Sequence, residues 1–317
     1  MRNEKIMKPV CLYKNTVGDY LKRNREMRGY AQFEVCDGIC SVSTLSRIEA
    51  GEEAISFPMM EAIMGRMEIE LSECEFFLVG EDSRIYEQRE EIKLLFEREE
   101  YGKAKECLEA YGEEYGMKDI HRQFFYFWSA VLERNKLQQD EKKKKELLLN
   151  AVEITVPDYC EKLEKKELLS GMELDCIVEL IACEEDIDEK EHRYEEFYTY
   201  FKCKQSKESF FPVSYRKFLK YYAECLYENR KYDQSIQICD EAIKELYGTS
   251  KEENRWYLFY LRAKAREGRG SKEKGEKMLC LNDLLIAYYV SSFYNGEEKM
   301  ETLKKYIEEK YEWQFIN

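Results

Sequence analysis

The stretch Gly38-Ile-Cys-Ser-Val-Ser-Thr-Leu-Ser-Arg-Ile-Glu-Ala-Gly51 decides the fold of the N-terminal part of the chain. It predicts a turn followed by a short helix. Ser41 suits the N-cap, where a hydroxyl accepts from free backbone N–H groups, and Gly51 suits the left-handed residue that ends a helix. Leu45 and Ile48 fall on the inward side of this helix. Its outward side carries small hydroxyls and one guanidinium, on Ser43, Ser46 and Arg47.

The residues before this stretch predict two more helices. A first helix has apolar residues at helical spacing, namely Val17, Tyr20, Leu21 and Met27. Gly29 to Ala31 interrupts it, and Gln32 to Asp37 then predicts a second, short helix. Two short helices joined by a turn that contains glycine are typical of the helix-turn-helix motif.

This part of the chain resembles the DNA-binding domain of the lambda-repressor/Cro-like (XRE) family. The resemblance covers residues 15 to 78 and rests on Leu21 to Arg25, Gln32 to Ile39 and Ser43 to Gly51. Cys36 departs from the pattern, because the family usually has alanine there. The resemblance implies a five-helix DNA-binding domain, with further helices at residues 57–67 and 71–78.

The outward residues of these helices are candidates for contacts with DNA. Ser43 and Arg47 either contact bases or form a solvated face, and Gln32 either contacts a phosphate or a base edge or only caps the second helix. Ser41 and Thr44 either contact phosphate or cap the helix.

Three charged residues of the first helix, Lys22, Arg23 and Arg25, are also candidates for a role. Lys22 and Arg23 either contact phosphate or only keep the surface soluble. In the family, the residues at the positions of Arg25 and Glu49 form a salt bridge between the first and third helices, which is a structural role.

From residue 84 onward the pattern is helical almost without interruption and predicts stacked antiparallel pairs. A small residue in one helix, a tyrosine after the turn and Ala242 late in the next helix match the tetratricopeptide pattern. Such pairs must stack to bury their apolar faces, which gives a solenoid with a groove. The predicted pairs are 84–98 with 101–115, 118–134 with 137–154, 166–184 with 188–203, 211–229 with 231–247, and 252–268 with 272–294, followed by a helix at 297–311.

We therefore predict an all-α fold, in which a helix-turn-helix domain precedes a tetratricopeptide-like α-solenoid. The predicted parts are an N-terminal arm at 1–14, a DNA-binding domain at 15–80 and a repeat domain for ligand binding and dimerisation at 81–317. No apolar run is long enough to span a bilayer, and residues 1–14 lack the apolar core of a secretory signal. We expect a cytoplasmic protein.

The charge is distributed unevenly. The net charge of the chain is −14, yet residues 1–70 hold ten basic and eleven acidic residues and so carry only −1. Non-specific attraction to phosphate should be weak, and DNA affinity would depend on dimerisation and specific contacts.

The sequence shows no arrangement of residues that is typical of a catalytic site or a metal site. The twelve cysteines are scattered and form no Cys-x-x-Cys motif, so we expect reduced thiols. The only histidines, His121 and His192, have no nearby cysteine partner, so we expect no metal site, no cofactor and no enzymatic activity.

The combination of both parts resembles the Rgg/PlcR-type regulators of Gram-positive bacteria. This resemblance implies a homodimer that binds a palindromic operator and a short peptide in its repeat groove. Asn135 and Asn229 are candidates for holding the peptide backbone, although a turn or capping role suits them as well. Two alternatives stay open: repeats that only dimerise or bind another protein, and a protein-interaction scaffold or effector whose first domain binds DNA weakly or not at all.

Overall fold

The computed structural model describes residues 9–69, 78, 80–116, 119–134, 140–165, 167–204, 213–245, 255–270, 274–294 and 297–315. Within these ranges all regular secondary structure is helical, in sixteen helices. The predicted all-α fold class is thus confirmed. Among the described helices, none combines the length and the apolar character that a membrane crossing needs.

The chain divides into two compact units. The first comprises Met1–Cys183 with Lys202–Phe210, and the second comprises Glu184–Phe201 with Phe211–Asn317.

The first unit begins with four helices: α1 at Pro9–Met27, α2 at Gln32–Cys36, α3 at Val42–Glu49 and α4 at Phe57–Arg66. Helix α1 starts inside the segment 1–14 that we expected to be an arm, since a proline at the start of a helix needs no N–H partner. The predicted helix at 71–78 lies almost entirely outside the described residues, so a fifth helix stays a prediction.

A small apolar core holds α1, α2 and α3 together. Its members are almost completely buried: Val17, Leu21, Val35, Leu45 and Ile48. The contact between α1 and α3 is close, because a Cβ atom at Gly18 would lie 1.9 Å from the carbonyl oxygen of Ile48. Met27, which we placed with the apolar residues of the first helix, is 82% exposed, since α1 ends there and the chain turns away.

Six more helices follow in the first unit: α5 at Glu81–Glu97, α6 at Tyr101–Tyr115, α7 at Asp119–Arg134, α8 at Glu141–Thr155, α9 at Tyr159–Lys165 and α10 at Gly171–Ala182. Helices α5 to α8 lie at the positions of the first two predicted pairs, and neighbours along the chain pack on each other. Helix α9 was not predicted.

The third predicted pair, 166–184 with 188–203, does not form one packing unit. Helix α10 belongs to the first unit and packs on α8 and α4. It is buried over most of its length from Glu173 to Ile181, so its apolar surface needs more than one partner helix.

The second unit contains α11 at Ile187–Lys204 up to Phe201, α12 at Val213–Glu228, α13 at Tyr232–Glu245, α14 at Arg255–Arg269, α15 at Lys274–Tyr294 and α16 at Glu297–Tyr311. From α12 onward each helix packs on the next, and α12 also contacts α14. Ala223 and Ala242 are completely buried, because small side chains let neighbouring helices approach closely. A cluster of buried rings joins α11 to α12: Tyr194, Phe197, Phe201, Tyr215 and Phe218.

Candidate nucleic-acid interface

Helix α3 is capped by its own first turn. The Ser41 hydroxyl accepts a hydrogen bond from the backbone N–H of Thr44 at 3.0 Å, and the two hydroxyl oxygens lie 2.9 Å apart. Both hydroxyls therefore take part in the cap, which is one of the two roles we considered for them. Four other side chains on α3 are exposed: Val42, Ser43, Ser46 and Arg47.

A buried ion pair fixes α3 against α1. Arg25 Nε and Nη2 donate to the two carboxylate oxygens of Glu49 at 2.6 and 2.8 Å, and Arg25 Nη1 donates to the carbonyl oxygen of Tyr30 at 2.9 Å. The hydrogen bond with Glu49 outweighs burial and raises the pKa of Arg25. The pair joins the end of α1 to the end of α3, as the family resemblance implied.

Gln32 adds the second helix to this arrangement. Its amide Nε2 donates to Glu49 Oε2 at 2.8 Å, which ties the start of α2 to the end of α3. One of the two amide hydrogens is used in this bond. The other hydrogen and the amide oxygen are left for the contact to phosphate or base that we predicted.

The predicted basic contacts lie on the surface. Arg47 forms an ion pair with Glu53 at 3.0 Å, and Arg23 forms one with Asp19 at 2.6 Å. Lys22 is exposed. Exposed ion pairs are worth at most about 1 kcal/mol, so Arg47 can exchange Glu53 for another acceptor at little cost.

The sequence analysis missed one residue on this surface. Val42 is the first residue of α3 and is 44% exposed. Its position directly after the N-cap Ser41 was a usable signal, because the first residues of such a helix lie closest to base edges.

The sequence analysis also missed a buried attachment of the first four helices to later helices. Arg66, at the end of α4, donates from Nη2 and Nε to the carboxylate of Glu173 in α10 at 2.7 and 3.2 Å. Both side chains are at most 1% exposed. Burial alone would lower the pKa of Arg66, but the attraction of Glu173 outweighs it and raises the pKa.

The turn between α2 and α3 shares this attachment. Arg66 Nη1 donates to the carbonyl oxygen of Asp37 at 2.5 Å, and Lys162 Nζ lies 2.6 Å from Asp37 Oδ2. The hydrogen bond from Lys162 lowers the pKa of Asp37. Gly38 has a φ of +72°, and a Cβ atom there would lie 2.2 Å from the carbonyl oxygen of Thr155 in α8. Helix α3 is therefore placed relative to α8, α9 and α10.

Thiols and histidines form no separate site among the described residues. Their ten cysteines are free, and burial raises the pKa of the Cys40 thiol to about 11, which makes it a weak nucleophile. His121 is buried beside the Tyr111 hydroxyl at 2.7 Å. No group of histidines, cysteines and carboxylates in the described ranges could hold a metal ion.

The two asparagines proposed for a peptide differ in status. Asn135 lies outside the described residues. Asn229 follows the end of α12, where its amide Nδ2 donates to Glu191 Oε2 at 2.5 Å and to Asp188 Oδ1 at 3.2 Å. Its amide is thus engaged with α11, and a new ligand would have to compete with two carboxylates.

A strip of aromatic and charged side chains lies along α12 and α14 in the second unit. Lys220 Nζ lies 4.9 Å from the centre of the Tyr257 ring and 5.7 Å from that of Tyr221. Burial and a hydrogen bond to Glu224 raise the pKa of Tyr257. We call these four residues the α12–α14 strip. The strip therefore combines one basic and one acidic side chain, Lys220 and Glu224, with two tyrosine rings.

Comparison with known proteins identifies solved structures that share this fold. No protein-family description and no curated protein matches the chain. Among solved structures, the chain resembles ComR from S. thermophilus in complex with DNA and its signalling peptide ComS, with a TM-score of 0.51 and 16% identity over 92% of this chain and 98% of that one. It also resembles the apo form of the competence regulator ComR from Streptococcus vestibularis, with a TM-score of 0.50 and 16% identity over 93% and 97% of the two chains. PlcR from Bacillus thuringiensis, solved with the peptide PapR7 and DNA, has 18% identity over 92% and 99% and a TM-score of 0.49. The chain thus shares its fold with ComR over nearly its whole length.

Proposed function

We propose that this protein is a sequence-specific DNA-binding transcription regulator of the XRE type, controlled by a short peptide that binds its tetratricopeptide-like repeats. In this proposal residues 15–80 bind DNA and residues 81–317 bind the peptide and dimerise. The protein acts by binding in the cytoplasm, without a cofactor or catalytic chemistry.

The observation that carries the proposal is the exposed face of α3. Its small hydroxyls and Arg47 face solvent, while Arg25, Glu49 and Gln32 hold the helix in place from behind. A helix that is rigidly held and exposes short polar side chains can approach base edges in the major groove. The shared fold with ComR, whose solved complex contains DNA and a signalling peptide, supports the same reading.

The DNA contacts are tested with Arg47. Arg47→Ala should weaken specific binding by about 1–3 kcal/mol if the guanidinium contacts a guanine with two hydrogen bonds. Gel shifts and competition with scrambled duplexes measure this loss. Glu53→Gln is the matched control, because it removes the partner of Arg47 and should leave affinity equal or higher. If Arg47→Ala changes neither affinity nor base preference, Arg47 is not a reading residue.

Several contacts accompany Arg47 in the proposal. Ser43 contacts a base, Gln32 contacts phosphate or a base edge, and Ser41 and Thr44 support α3 near the backbone. Lys22 and Arg23 contribute phosphate contacts, which should appear as a smaller salt dependence of binding when either is replaced.

Peptide control is the second part of the proposal. We expect a linear peptide of about five to ten residues, because an extended peptide needs partners for its backbone groups as well as pockets for its side chains. The α12–α14 strip supplies rings and both charges, and Asn135 and Asn229 are the amides proposed for the backbone. A coupling free energy of about 1–3 kcal/mol between peptide binding and DNA binding is typical of such regulation.

The peptide proposal is tested by calorimetry with candidate peptides encoded next to the gene, paired with gel shifts. Binding that raises or lowers operator affinity supports the proposal. Binding without any change in operator affinity would mean that the protein senses the peptide by a different route.

The homodimer is proposed to form through the repeat domain. The C-terminal part of the second unit exposes apolar side chains: Met278, Leu279 and Tyr289 on α15, and Trp313 after the end of α16. Tyr288 is covered by Phe315, with ring centres 4.5 Å apart. A two-fold dimer would match a palindromic operator.

A second candidate function is a protein-interaction scaffold or effector that does not bind DNA. It is favoured by the net charge of −1 over residues 1–70 and by the engagement of Arg23 and Arg47 with nearby carboxylates. Selection of bound sequences from a random duplex pool separates the two functions. Recovery of no preferred sequence would favour the scaffold.

A further inference from the structure

One apolar side chain on the exposed face of α3 lies outside the helix-turn-helix core. Val42 is 44% exposed, whereas Leu45 and Ile48 on the inward face are 1% exposed. A β-branched residue is also a weaker helix former than most polar residues that suit a surface position. Neither core packing nor helix propensity therefore accounts for valine at this position.

The surroundings leave Val42 accessible. It follows the N-cap Ser41 and precedes Ser43, and Ser46 lies one turn further along the same exposed face. A serine side chain has a single heavy atom beyond Cβ, so these neighbours do not screen the Val42 methyl groups from an approaching surface. In a helix-turn-helix the first residues of the recognition helix contact base edges, and α3 is the helix at that position here.

The chemistry of valine restricts what it can recognise. Valine neither donates nor accepts a hydrogen bond, and the 5-methyl group of thymine is the apolar group that the major groove offers. We propose that Val42 is a specificity-determining residue that packs against the 5-methyl group of a thymine in the bound site. This inference rests on the proposed DNA-binding function and names the base class that one position reads.

The charge distribution makes such a contact important. Because residues 1–70 carry a net charge of −1, non-specific phosphate attraction contributes little, and direct contacts carry a larger share of the affinity. A thymine at the contacted position should therefore be strongly preferred among selected sequences.

The experiment uses the full chain and a duplex selected from a random pool. Each thymine of the selected site is replaced singly by uracil, which removes the 5-methyl group and keeps every hydrogen-bonding group. At one position in each half-site, we expect the wild-type protein to lose affinity about fourfold, which corresponds to the ~0.8 kcal/mol of one buried CH₂ group.

Variants link this loss to Val42. In Val42→Ala the affinity for the thymine site should fall and the sensitivity to uracil at that position should disappear, while Val42→Thr keeps one methyl group and should keep part of the sensitivity. Leu149→Ala is the control, since Leu149 is a 40% exposed side chain on α8. It should retain the full sensitivity.

The outcomes separate this inference from the proposed function. A preferred duplex whose uracil sensitivity persists in Val42→Ala, or is absent from the wild-type protein, overturns the role of Val42 and leaves DNA binding intact. If no preferred duplex is selected, the proposed function fails and the inference fails with it. Thermal melting of Val42→Ala shows whether the variant is folded, and alanine at this helical position should not lower its stability.

Discussion

The buried pair of Arg66 and Glu173 allows a direct test of how α4 is attached to α10. The perturbation is Glu173→Gln, which has nearly the same shape. The amide oxygen of glutamine can still accept from the backbone N–H of Ser170, as the carboxylate does now at 2.6 Å. The substitution therefore removes the charge and retains the capping interaction at the start of α10.

The magnitude follows from burial. Arg66 and Glu173 are at most 1% exposed and are joined by two hydrogen bonds, so water does not screen the guanidinium once its partner is neutral. Removal of one partner of a buried pair costs about 3–5 kcal/mol. For a cooperative unit of about 200 residues this lowers Tm by roughly 6–20 °C.

The assay is thermal and urea unfolding of the full chain, followed by circular dichroism. Glu164→Gln in α9 is the control, because Glu164 is exposed and should change stability by less than about 0.5 kcal/mol. The double variant Arg66→Met with Glu173→Gln should lose less stability than the sum of the two single variants, since it leaves no unpaired buried charge. If Glu173→Gln behaves like the control, or if the two single effects add, the pair does not stabilise this attachment.

Three further predictions concern the same part of the chain and its assembly. Glu49→Ala leaves the Arg25 guanidinium buried without its partner and should lower the free energy of unfolding in urea by about 3 kcal/mol. Glu52→Ala, at an exposed position, should lower it much less. Equal decreases would contradict the ion-pair role of Glu49. Lys162 lowers the pKa of Asp37 in the folded state, so this stabilisation is present above the pKa of an unfolded aspartate, about 3.9, and is lost as pH falls through the lower folded pKa. Asp37→Asn should therefore reduce the fall of the urea midpoint at acidic pH. An unchanged fall would argue against the interaction. Light scattering of the full chain at tens of micromolar should give the mass of two 38.2 kDa chains, and a monomer would count against dimerisation through residues 81–317.

Local patterns predicted most helices because their signals lie within a few residues. The N-cap Ser41, the buried positions Leu45 and Ile48 and the glycine after α3 specify that helix without reference to the rest of the chain. Helices α12 and α13 were equally readable, since small residues such as Ala223 and Ala242 mark where two helices pack closely.

The attachment of α4 to α10 could not be predicted in this way. Arg66 and Glu173 are 107 positions apart in sequence, and either one alone reads as an ordinary surface charge. Pairing across such a distance depends on which helices meet in space, and helical periodicity does not contain that information. The third helix pair was misassigned for the same reason, because the pattern shows that α10 is apolar but not which helix covers it.

The close approach of Gly38 to Thr155 limits how the N-terminal helices can be exchanged for those of another protein. The space that a side chain would need at position 38 is filled by a backbone carbonyl group from α8, 117 positions later in the chain. A chimera in which residues 1–80 come from another protein would need a glycine at this position and an arginine at the position of Arg66. Under the proposed function, a change of operator specificity should therefore succeed more readily by replacing the exposed residues of α3 than by transplanting the whole segment.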